Sequence, residues 1–147
     1  MAGASAWVLF NDFKLNQQKK LLDMLNDTFK VALVTSSSNA ISATLTPATY
    51  SGITNELSTA NGYTSGGATA ATPSLTGGGS TATITWDTGD VSWTASGSAL
   101  TARAAVMYDS TAGYLVAYCL LDSAPADVTV QPGNTLTINI ANVYSET

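Results

Sequence analysis

Apolar and polar residues alternate with a period of two over much of the chain. The segments FKVALVT (29–35), TATITW (81–86) and TLTINI (135–140) place their larger apolar side chains at every second position, opposite smaller or polar ones. This alternation is typical of strands with one buried and one solvated face. YLVAYCLL (114–121) is apolar on both faces, which favours a central strand, with a helix as the alternative.

The N-terminal segment has helical spacing instead. Over residues 11–28 and the residue that follows, large apolar side chains fall where one helix face would carry them: Leu15, Leu22, Leu25 and Phe29. Asn11 or Asp12 is in place to cap that helix. We therefore expect an N-terminal arm and helix over residues 1–28, followed by a β-sandwich over residues 29–147.

Sequences typical of turns divide residues 29–147 into short strands. DSTAG (109–113) is expected to close a hairpin between RAAVMY and YLVAYCLL, and QPGN (131–134) joins DVTV to TLTINI. Seven or eight strands at this spacing predict a mainly β protein. The simplest architecture is a two-sheet β-sandwich or jelly-roll-like domain with one N-terminal helix, and a partly closed barrel is the alternative.

The run TANGYTSGGATAATPSLTGGGST (59–81) holds six of the twelve glycines and no charged residue. A phosphate-binding loop would need a lysine and a following helix, and the run has neither. A flexible linker between two domains is disfavoured because each remaining part is too short for a comfortable core. We interpret the run as two turns around an edge strand, a position that tolerates Pro73.

Composition and charge narrow the class of function. Charged residues make up only 10% of the chain, and the net charge is −5. Four of the five cations precede residue 31 (Lys14, Lys19, Lys20 and Lys30), whereas Arg103 alone follows it, against seven carboxylates. Nucleic acid is an unsuitable partner for such a chain, because phosphate binding needs clustered lysine and arginine.

Few residues offer catalytic chemistry. The chain has no histidine, which excludes Ser-His and Cys-His arrangements. Its single cysteine, Cys119, lies in an apolar run and is expected to be buried and inert. Asp87 and Asp90 are the nearest acid and base pair, but Asp87-Thr88-Gly89-Asp90 is better explained as a tight turn. Too few oxygen ligands surround it for calcium, and no cofactor or metal is expected.

Trp86 and Trp93 flank that turn. Exposed, they would form a sugar-binding platform, but at alternating strand positions they are expected in the core. The run Trp7 to Phe10 is too short for a signal-peptide core or a membrane span, and no export signal is visible.

Four segments carry a resemblance to a known class of proteins: DTFKVALVTSS (27–37), NGYTSGG (61–67), VSWTASGSALTARAAVMYDST (91–111) and VTVQPGNTLTINI (128–140). In this order, over about residues 28–140, the chain resembles small virion structural proteins of tailed bacteriophages, among them capsid cement and decoration proteins. The resemblance implies a β-sandwich without catalytic activity, made in the bacterial host cytoplasm. It also implies binding to the capsid exterior, the phage major capsid protein as partner, and a homotrimer or homodimer. From the charge distribution and the short apolar run described above, no nucleic acid and no membrane partner is expected.

The residues expected to contact a partner are Trp7, Val8, Leu9, Phe10 and Tyr63. Trp7 to Phe10 would order on a neighbouring protein, or would equally well add a strand to the chain's own core. Tyr63 is expected in a surface loop. The alternative functions are a tail-tip or fibre-associated virion protein, a carbohydrate-binding module, and an enzyme that uses Asp87 and Asp90.

Overall fold

A computed structural model describes residues 4–146, apart from the side chain of residue 81. This part of the chain is mainly β, with one α-helix, α1 (Asn11–Gln18), and a 3-10 turn at Tyr50–Gly52. The strands are β1 (Val8–Leu9), β2 (Phe29–Val34), β3 (Ala68–Ala70), β4 (Ser74–Gly78), β5 (Thr81–Asp87), β6 (Val91–Thr94), β7 (Leu100–Ala102), β8 (Ala104–Asp109), β9 (Leu115–Leu120), β10 (Val128–Val130), β11 (Thr135–Ile138) and β12 (Tyr144–Glu146).

The largest sheet has five antiparallel strands in the order β1-β9-β8-β2-β3. All six residues of β8 are buried, and β2 and β9 are buried along most of their length. The strand predicted for residues 114–121 is confirmed at Leu115–Leu120, and its helical alternative is wrong. Because β9 is covered on both faces, it lacks the alternation seen in β6 and β11.

The remaining strands pair in smaller antiparallel groups: β10 with β7, β11 with β6, and β4, β5 and β12 in the order β12-β5-β4. The loop at residues 109–113 closes the predicted hairpin between β8 and β9. The turn at residues 131–134 connects β10 to β11 as expected, but these two strands pair with β7 and β6 rather than with each other.

Aromatic side chains join the five-stranded sheet to the β12-β5-β4 sheet. Phe29 of β2 packs edge-on against Trp86 of β5, with ring centroids 4.8 Å apart. Trp86 stacks on Tyr144 at 6.0 Å, and Phe13 of α1 meets Tyr144 at 5.6 Å. Large aromatic rings bury much apolar area and prefer tilted or offset contacts of this kind. They therefore place α1 and β5 on the same core.

The helix predicted over residues 11–28 is present only over Asn11–Gln18, and the longer prediction is wrong. Lys20 adopts the left-handed backbone conformation, with φ 58°, which a continuous helix cannot contain. Beyond it, the carboxylate of Asp23 accepts hydrogen bonds of 3.1 Å from the N–H groups of Leu25 and Asn26. These bonds build a local turn that competes with further helix.

The predicted cap of this helix is also corrected. Phe10 occupies the N-cap position, and no side chain caps the helix. Asp12, in the first turn, instead accepts hydrogen bonds from the Thr46 hydroxyl at 2.7 Å and the Ala48 N–H at 3.0 Å. Its carboxylate therefore fastens the loop at residues 46–48 to α1.

The face that α1 buries differs from the predicted leucine face. Phe13 and Asn16 are its buried residues, whereas Leu15 is 52% exposed. Leu25 lies beyond the helix and is 50% exposed, and Phe29 belongs to β2. Leu22 is half-buried against the core, so the predicted leucines do not form one core-facing side.

The glycine-rich run forms two strands rather than one edge strand. β3 is an edge of the five-stranded sheet, and β4 is an edge of the β12-β5-β4 sheet. Pro73 lies in the bend between them, where its missing N–H removes no ladder hydrogen bond. The run therefore crosses from one sheet to another, and the interpretation of a single edge strand is corrected.

Candidate interaction surface

The run Trp7 to Phe10 adds a short edge strand to the chain's own sheet. Val8 pairs with Tyr118, and Leu9 pairs with Ala117 of β9. The Phe10 N–H donates to the carbonyl of Val116 at 3.1 Å. This placement is the core-strand alternative that the sequence left open.

The side chains of this run divide between core and surface. Phe10 is fully buried and contacts Tyr118, with ring centroids 5.6 Å apart, so its predicted role as an exposed contact is corrected. Trp7 and Leu9 are half-buried, and Val8 is 38% exposed. Of the four residues in this run, Trp7, Val8 and Leu9 therefore have side-chain surface that a partner could contact.

An open groove of about 470 Å³ lies beside this edge strand. Residues 4–7 form one wall, and β10, β11 and the segment after β11 form the other. Its lining includes Trp7, Cys119, Leu121, Val128, Leu136 and Ile138. Among residues 4–146, no charged side chain lines it. Such a groove suits an apolar or uncharged segment rather than a charged ligand.

The wall formed by residues 4–7 is fastened to the sheet. The Ser5 N–H donates to the carbonyl of Leu120 at 2.9 Å, and the Ser5 hydroxyl accepts from the Leu120 N–H at 2.9 Å. Cys119 faces the groove from β9 but is almost fully buried, as predicted. Burial raises the pKa of its thiol to about 12, so little nucleophilic thiolate is present near neutral pH.

Tyr63 does not lie on the surface, and its predicted exposure is corrected. It is 2% exposed, and its ring lies 5.9 Å from that of Trp93. The Tyr63 hydroxyl donates to Glu56 Oε1 at 2.6 Å and accepts from the Leu33 N–H at 3.1 Å. The tyrosine therefore ties the loop at residues 61–67 to β2.

Glu56 organises this loop, although nothing in the sequence singled it out. Its carboxylate also accepts hydrogen bonds from the Tyr50 hydroxyl and the Gly66 N–H, both at 2.6 Å. Tyr108 stacks on Tyr50 with ring centroids 4.1 Å apart and donates to the Gly66 carbonyl at 2.6 Å. Burial, helped by the Glu56 carboxylate, raises the pKa of Tyr50 and Tyr63, so these hydroxyls remain donors.

Two glycines of NGYTSGG hold the loop against backbone on both sides. A Cβ at Gly62 would lie 2.0 Å from the carbonyl oxygen of Thr94 in β6, and one at Gly67 would lie 1.9 Å from that of Val31 in β2. Both glycines have positive φ, at 89° and 76°. The loop therefore lies between two sheets at distances that only glycine permits.

Asp87 ends β5 and Asp90 directly precedes β6, and only Asp87 makes the bond predicted for a tight turn. Asp87 Oδ1 accepts from the Thr88 N–H at 2.8 Å, the local bond expected of the turn. Asp90 Oδ1 accepts from the Ile140 N–H at 2.7 Å, so its bond is made to a distant segment rather than within the turn. The two carboxylates thus serve backbone hydrogen bonding.

Trp86 and Trp93 are core residues, as predicted, at 0% and 6% exposed. The Trp86 indole N–H donates to the carbonyl of Met24 at 2.7 Å. Neither ring can serve as a sugar platform in this fold, so the observation on which the carbohydrate-binding hypothesis depended is absent.

Asp27 and Asp109 form a pair of acidic side chains near the start of β2 and the end of β8. The sequence pattern did not indicate this pair. Asp109 is fully buried, and its Oδ1 accepts from the N–H groups of Thr111 and Ala112 at 2.8 and 2.9 Å. Its Oδ2 is buried without a hydrogen-bond donor, and the carboxyl group of Asp27 lies beside it. Burial, together with Asp27, raises the pKa of Asp109 to about 6.

This pKa predicts a pH dependence of stability. Because the folded-state pKa of Asp109 is above its ordinary value of 3.8, its contribution to stability is lost as pH rises through about 6. Asp109→Asn keeps the Oδ1 acceptor and places an amide donor toward Asp27. We expect it to stabilise the protein by roughly 1–2 kcal/mol at pH 8 and to have little effect at pH 5. Urea unfolding of both proteins at the two pH values measures this, and equal differences at both would contradict it.

Within residues 4–146, no three acidic, cysteine or histidine side chains are grouped closely enough to hold a metal ion. The helix of this part of the chain is too short to cross a membrane. Comparisons of the chain with protein-family models, with curated proteins and with solved structures found no match.

Proposed function

We propose that the chain is a non-enzymatic structural protein of a bacteriophage particle that binds the capsid exterior as a cement or decoration protein. The observation that carries the proposal is the uncharged groove beside β1, taken together with the four phage-like segments of the sequence. An apolar groove at the edge of a sheet can receive an extended segment of the major capsid protein, which would also pair with open backbone groups.

The groove has backbone as well as side chains to offer a partner. β11 pairs with β6 on one side only, so half of its N–H and C=O groups face away from that partner. Thr137 and Asn139 line the groove on this side and are exposed. A shell presents the same contact many times, so modest affinity at each groove is sufficient.

A non-enzymatic role is supported by how the acidic groups are used. Asp87 and Asp90 hold backbone N–H groups, and Glu56 holds two tyrosines and a glycine N–H. Carboxylates committed in this way are poorly placed to exchange protons with a substrate. Cys119 is buried and protonated near neutral pH.

We further propose that the sheets form the two layers of a β-sandwich, of jelly-roll type. The contact of Phe29 with Trp86 supports a shared core between the five-stranded sheet and the β12-β5-β4 sheet. We place the protein on the capsid surface of the virion, after synthesis in the host cytoplasm. A tail-tip or fibre location is the second candidate within the same class.

The direct test is whether the protein occupies the particle through this groove. Thr137→Glu places a carboxylate at the exposed groove wall, where an apolar partner segment would have to desolvate it. We expect binding to purified particles that lack the protein to fall by about tenfold or more, which is about 1.4 kcal/mol. Co-sedimentation of the recombinant protein with particles measures this.

Thr76→Glu is the matched control, since Thr76 is also an exposed strand threonine and lies outside the groove. It is expected to bind like the wild type. If both variants lost particle binding equally, or if neither lost it, the proposal that the groove binds the particle would be contradicted. Absence of the protein from purified virions, or a reconstruction that shows it only in the tail, would overturn the capsid proposal itself.

A further inference from the structure

Two carboxyl groups meet where the segment after α1 reaches the β8–β9 hairpin. Asp109 ends β8 and is fully buried, and its Oδ2 has no hydrogen-bond donor within residues 4–146. Asp27 lies beside it, half-buried, with its own Oδ2 accepting from the Asp23 N–H at 2.7 Å. Neither Asp27 nor Asp109 forms an ion pair in this range. Buried polar atoms are almost always hydrogen-bonded, so the unpartnered oxygen of Asp109 requires an explanation.

A proton shared between the two carboxyl groups satisfies this oxygen. If one of the two groups is protonated, its O–H donates to the other, and the pair has one negative charge rather than two. If both are ionised, two like charges face each other at a buried position, and Asp109 Oδ2 remains without a donor. The raised pKa of Asp109, about 6, agrees with the shared proton.

The charged and titratable groups of the neighbouring strands point away from Asp109. Phe29 of β2 is its direct strand partner, so the two side chains lie on the same face of the sheet. Lys30 and Tyr108, which pair one position along, project to the opposite face because successive side chains of a strand alternate. The strand on the other side of β2, β3, is Ala-Thr-Ala and has no titratable side chain.

The hairpin loop and the segment after α1 leave Asp27 as the group that controls this charge. Residues 110–113 have no titratable side chain, and Tyr114 meets Asp109 through its backbone carbonyl, which accepts from the Asp109 N–H at 2.8 Å. The carboxylate of Asp23 is occupied by the local turn that follows it. Asp27 is the titratable side chain that raises the pKa of Asp109.

The acidic pair lies at the end of a segment with little other support. Residues 21–28 contain no helix or strand. Two backbone hydrogen bonds join their end to the hairpin loop: the Thr28 N–H donates to Thr111 Oγ1 at 3.0 Å, and the Ser110 N–H donates to the Thr28 carbonyl at 2.8 Å. Segments with few backbone hydrogen bonds open at a lower free energy than core strands do. The charge of the acidic pair can therefore decide whether this junction stays closed.

We propose that Asp27 and Asp109 form a pH-controlled clasp, in which a shared proton holds residues 21–28 against the hairpin loop and loss of that proton releases the segment. The proton passes to solvent as pH rises, and the two carboxylates that remain repel each other across the junction. Release also withdraws Leu22 and Met24, which are half-buried against the core. The inference does not depend on the proposed virion function, because it concerns the purified protein alone.

The direction of the pH effect follows from the raised pKa of Asp109. Because that pKa lies above the ordinary value of 3.8, the clasp is complete below pH 3.8 and is lost as pH rises through about 6. The ratio of open to closed segment should therefore increase roughly tenfold between pH 5 and pH 7. Acid closes the clasp, and neutral pH favours its opening.

Amide hydrogen exchange of the full chain, followed by NMR at pH 5 and pH 7, tests the clasp. Protection factors are compared, because they remove the pH dependence of the intrinsic exchange rate. We expect those of the Thr28 and Ser110 amides to fall roughly tenfold between the two pH values, and to lie below those of the buried strand β8 at pH 7. Protection that does not change with pH would overturn the shared proton. Protection equal to that of β8 at both pH values would mean that the segment opens only with the whole fold, and would overturn the clasp.

Asparagine variants assign the pH response to the acidic pair. Asp109→Asn and Asp27→Asn each replace the shared proton by an amide donor that does not titrate, so the Thr28 and Ser110 amides should be protected equally at pH 5 and pH 7. Asp87→Asn is the matched control, since Asp87 holds a backbone N–H at the end of β5, and it should retain the tenfold change. A full pH response in either clasp variant, or its loss in the Asp87 variant, would overturn the proposal.

Discussion

Replacing Gly67 by alanine is expected to cost the protein roughly 4 kcal/mol of folding free energy, among the largest effects of a single methyl group. The added Cβ would lie 1.9 Å from the carbonyl oxygen of Val31 and 2.9 Å from the Cα of Ala32, both in the buried strand β2. Backbone atoms cannot turn away as a flexible side chain would. The loop or the strand must shift, and the hydrogen bonds of Glu56 would be disturbed with it.

Gly97→Ala is the matched control for this prediction. Gly97 has φ 79°, almost the value of 76° at Gly67, but no atom lies within 4 Å of its hypothetical Cβ. Its alanine variant therefore reports the cost of left-handed backbone alone, about 1–2 kcal/mol. Thermal unfolding of the two variants should differ by about 4–12 °C, at 2–4 °C per kcal/mol. Similar melting temperatures would show that the loop does not approach β2 as described.

The strands could be predicted from the sequence because their pattern is local. β5 alternates threonine with apolar residues, and β9 is continuously apolar, since one lies near the surface and the other is covered on both faces. Which strands become neighbours is a different matter. β2 pairs with β8, whose residues lie 70 to 80 positions further along the chain, and no local pattern specifies that choice.

The prediction of a helix over residues 11–28 is too long because a tertiary contact of Met24 outweighs the helical spacing of the leucines. The segment after Gln18 has leucines at helical intervals, but the carbonyl of Met24 is the acceptor for the buried indole N–H of Trp86. A donor buried without an acceptor costs about 1–3 kcal/mol, more than the few tenths of a kcal/mol that helix propensity contributes per residue. The chain therefore turns at Lys20 and places Met24 against β5.

The sequence predicted that the run Trp7 to Phe10 contributes to the candidate interaction surface, but not which of its side chains are buried in the core. Trp7 lines the groove, Val8 is exposed outside it and Phe10 lies in the core, a distinction that depends on the pairing of β1 with β9. Tyr63 resembled a surface residue because glycines surround it, and glycine-rich turns are usually exposed. The glycines serve another purpose here, since they let the loop enter between two sheets. The spacing G-Y-x-x-G-G was the one sequence feature that could have indicated that Tyr63 is buried.

Removing the carboxylate of Glu56 is the second substitution expected to have a large effect. Glu56→Ala leaves the Tyr63 hydroxyl and the Gly66 N–H without their shared acceptor, and the Tyr50 hydroxyl without its own. Hydrogen bonds to charged groups contribute about 1.5–3 kcal/mol each, but water can reach this half-buried site. We therefore expect a loss of roughly 3–5 kcal/mol in the free energy of unfolding, measured by urea denaturation.

Two further variants separate the hydrogen bonds from the general effect of deleting an acidic side chain. Glu56→Gln retains one acceptor oxygen, so its loss should be intermediate, about 1–2 kcal/mol. Asp127→Ala deletes a carboxylate that forms an exposed ion pair with Arg103, for which about 1 kcal/mol or less is expected. If Glu56 joins Tyr50 to two donors of the loop at residues 61–67, the loss of stability should be largest for Glu56→Ala, smaller for Glu56→Gln and smallest for Asp127→Ala. If Glu56→Ala cost no more than Asp127→Ala, solvent would satisfy those donors equally well, and the loop would be held by its close glycine contacts and by the hydrogen bonds of Leu33 and Tyr108.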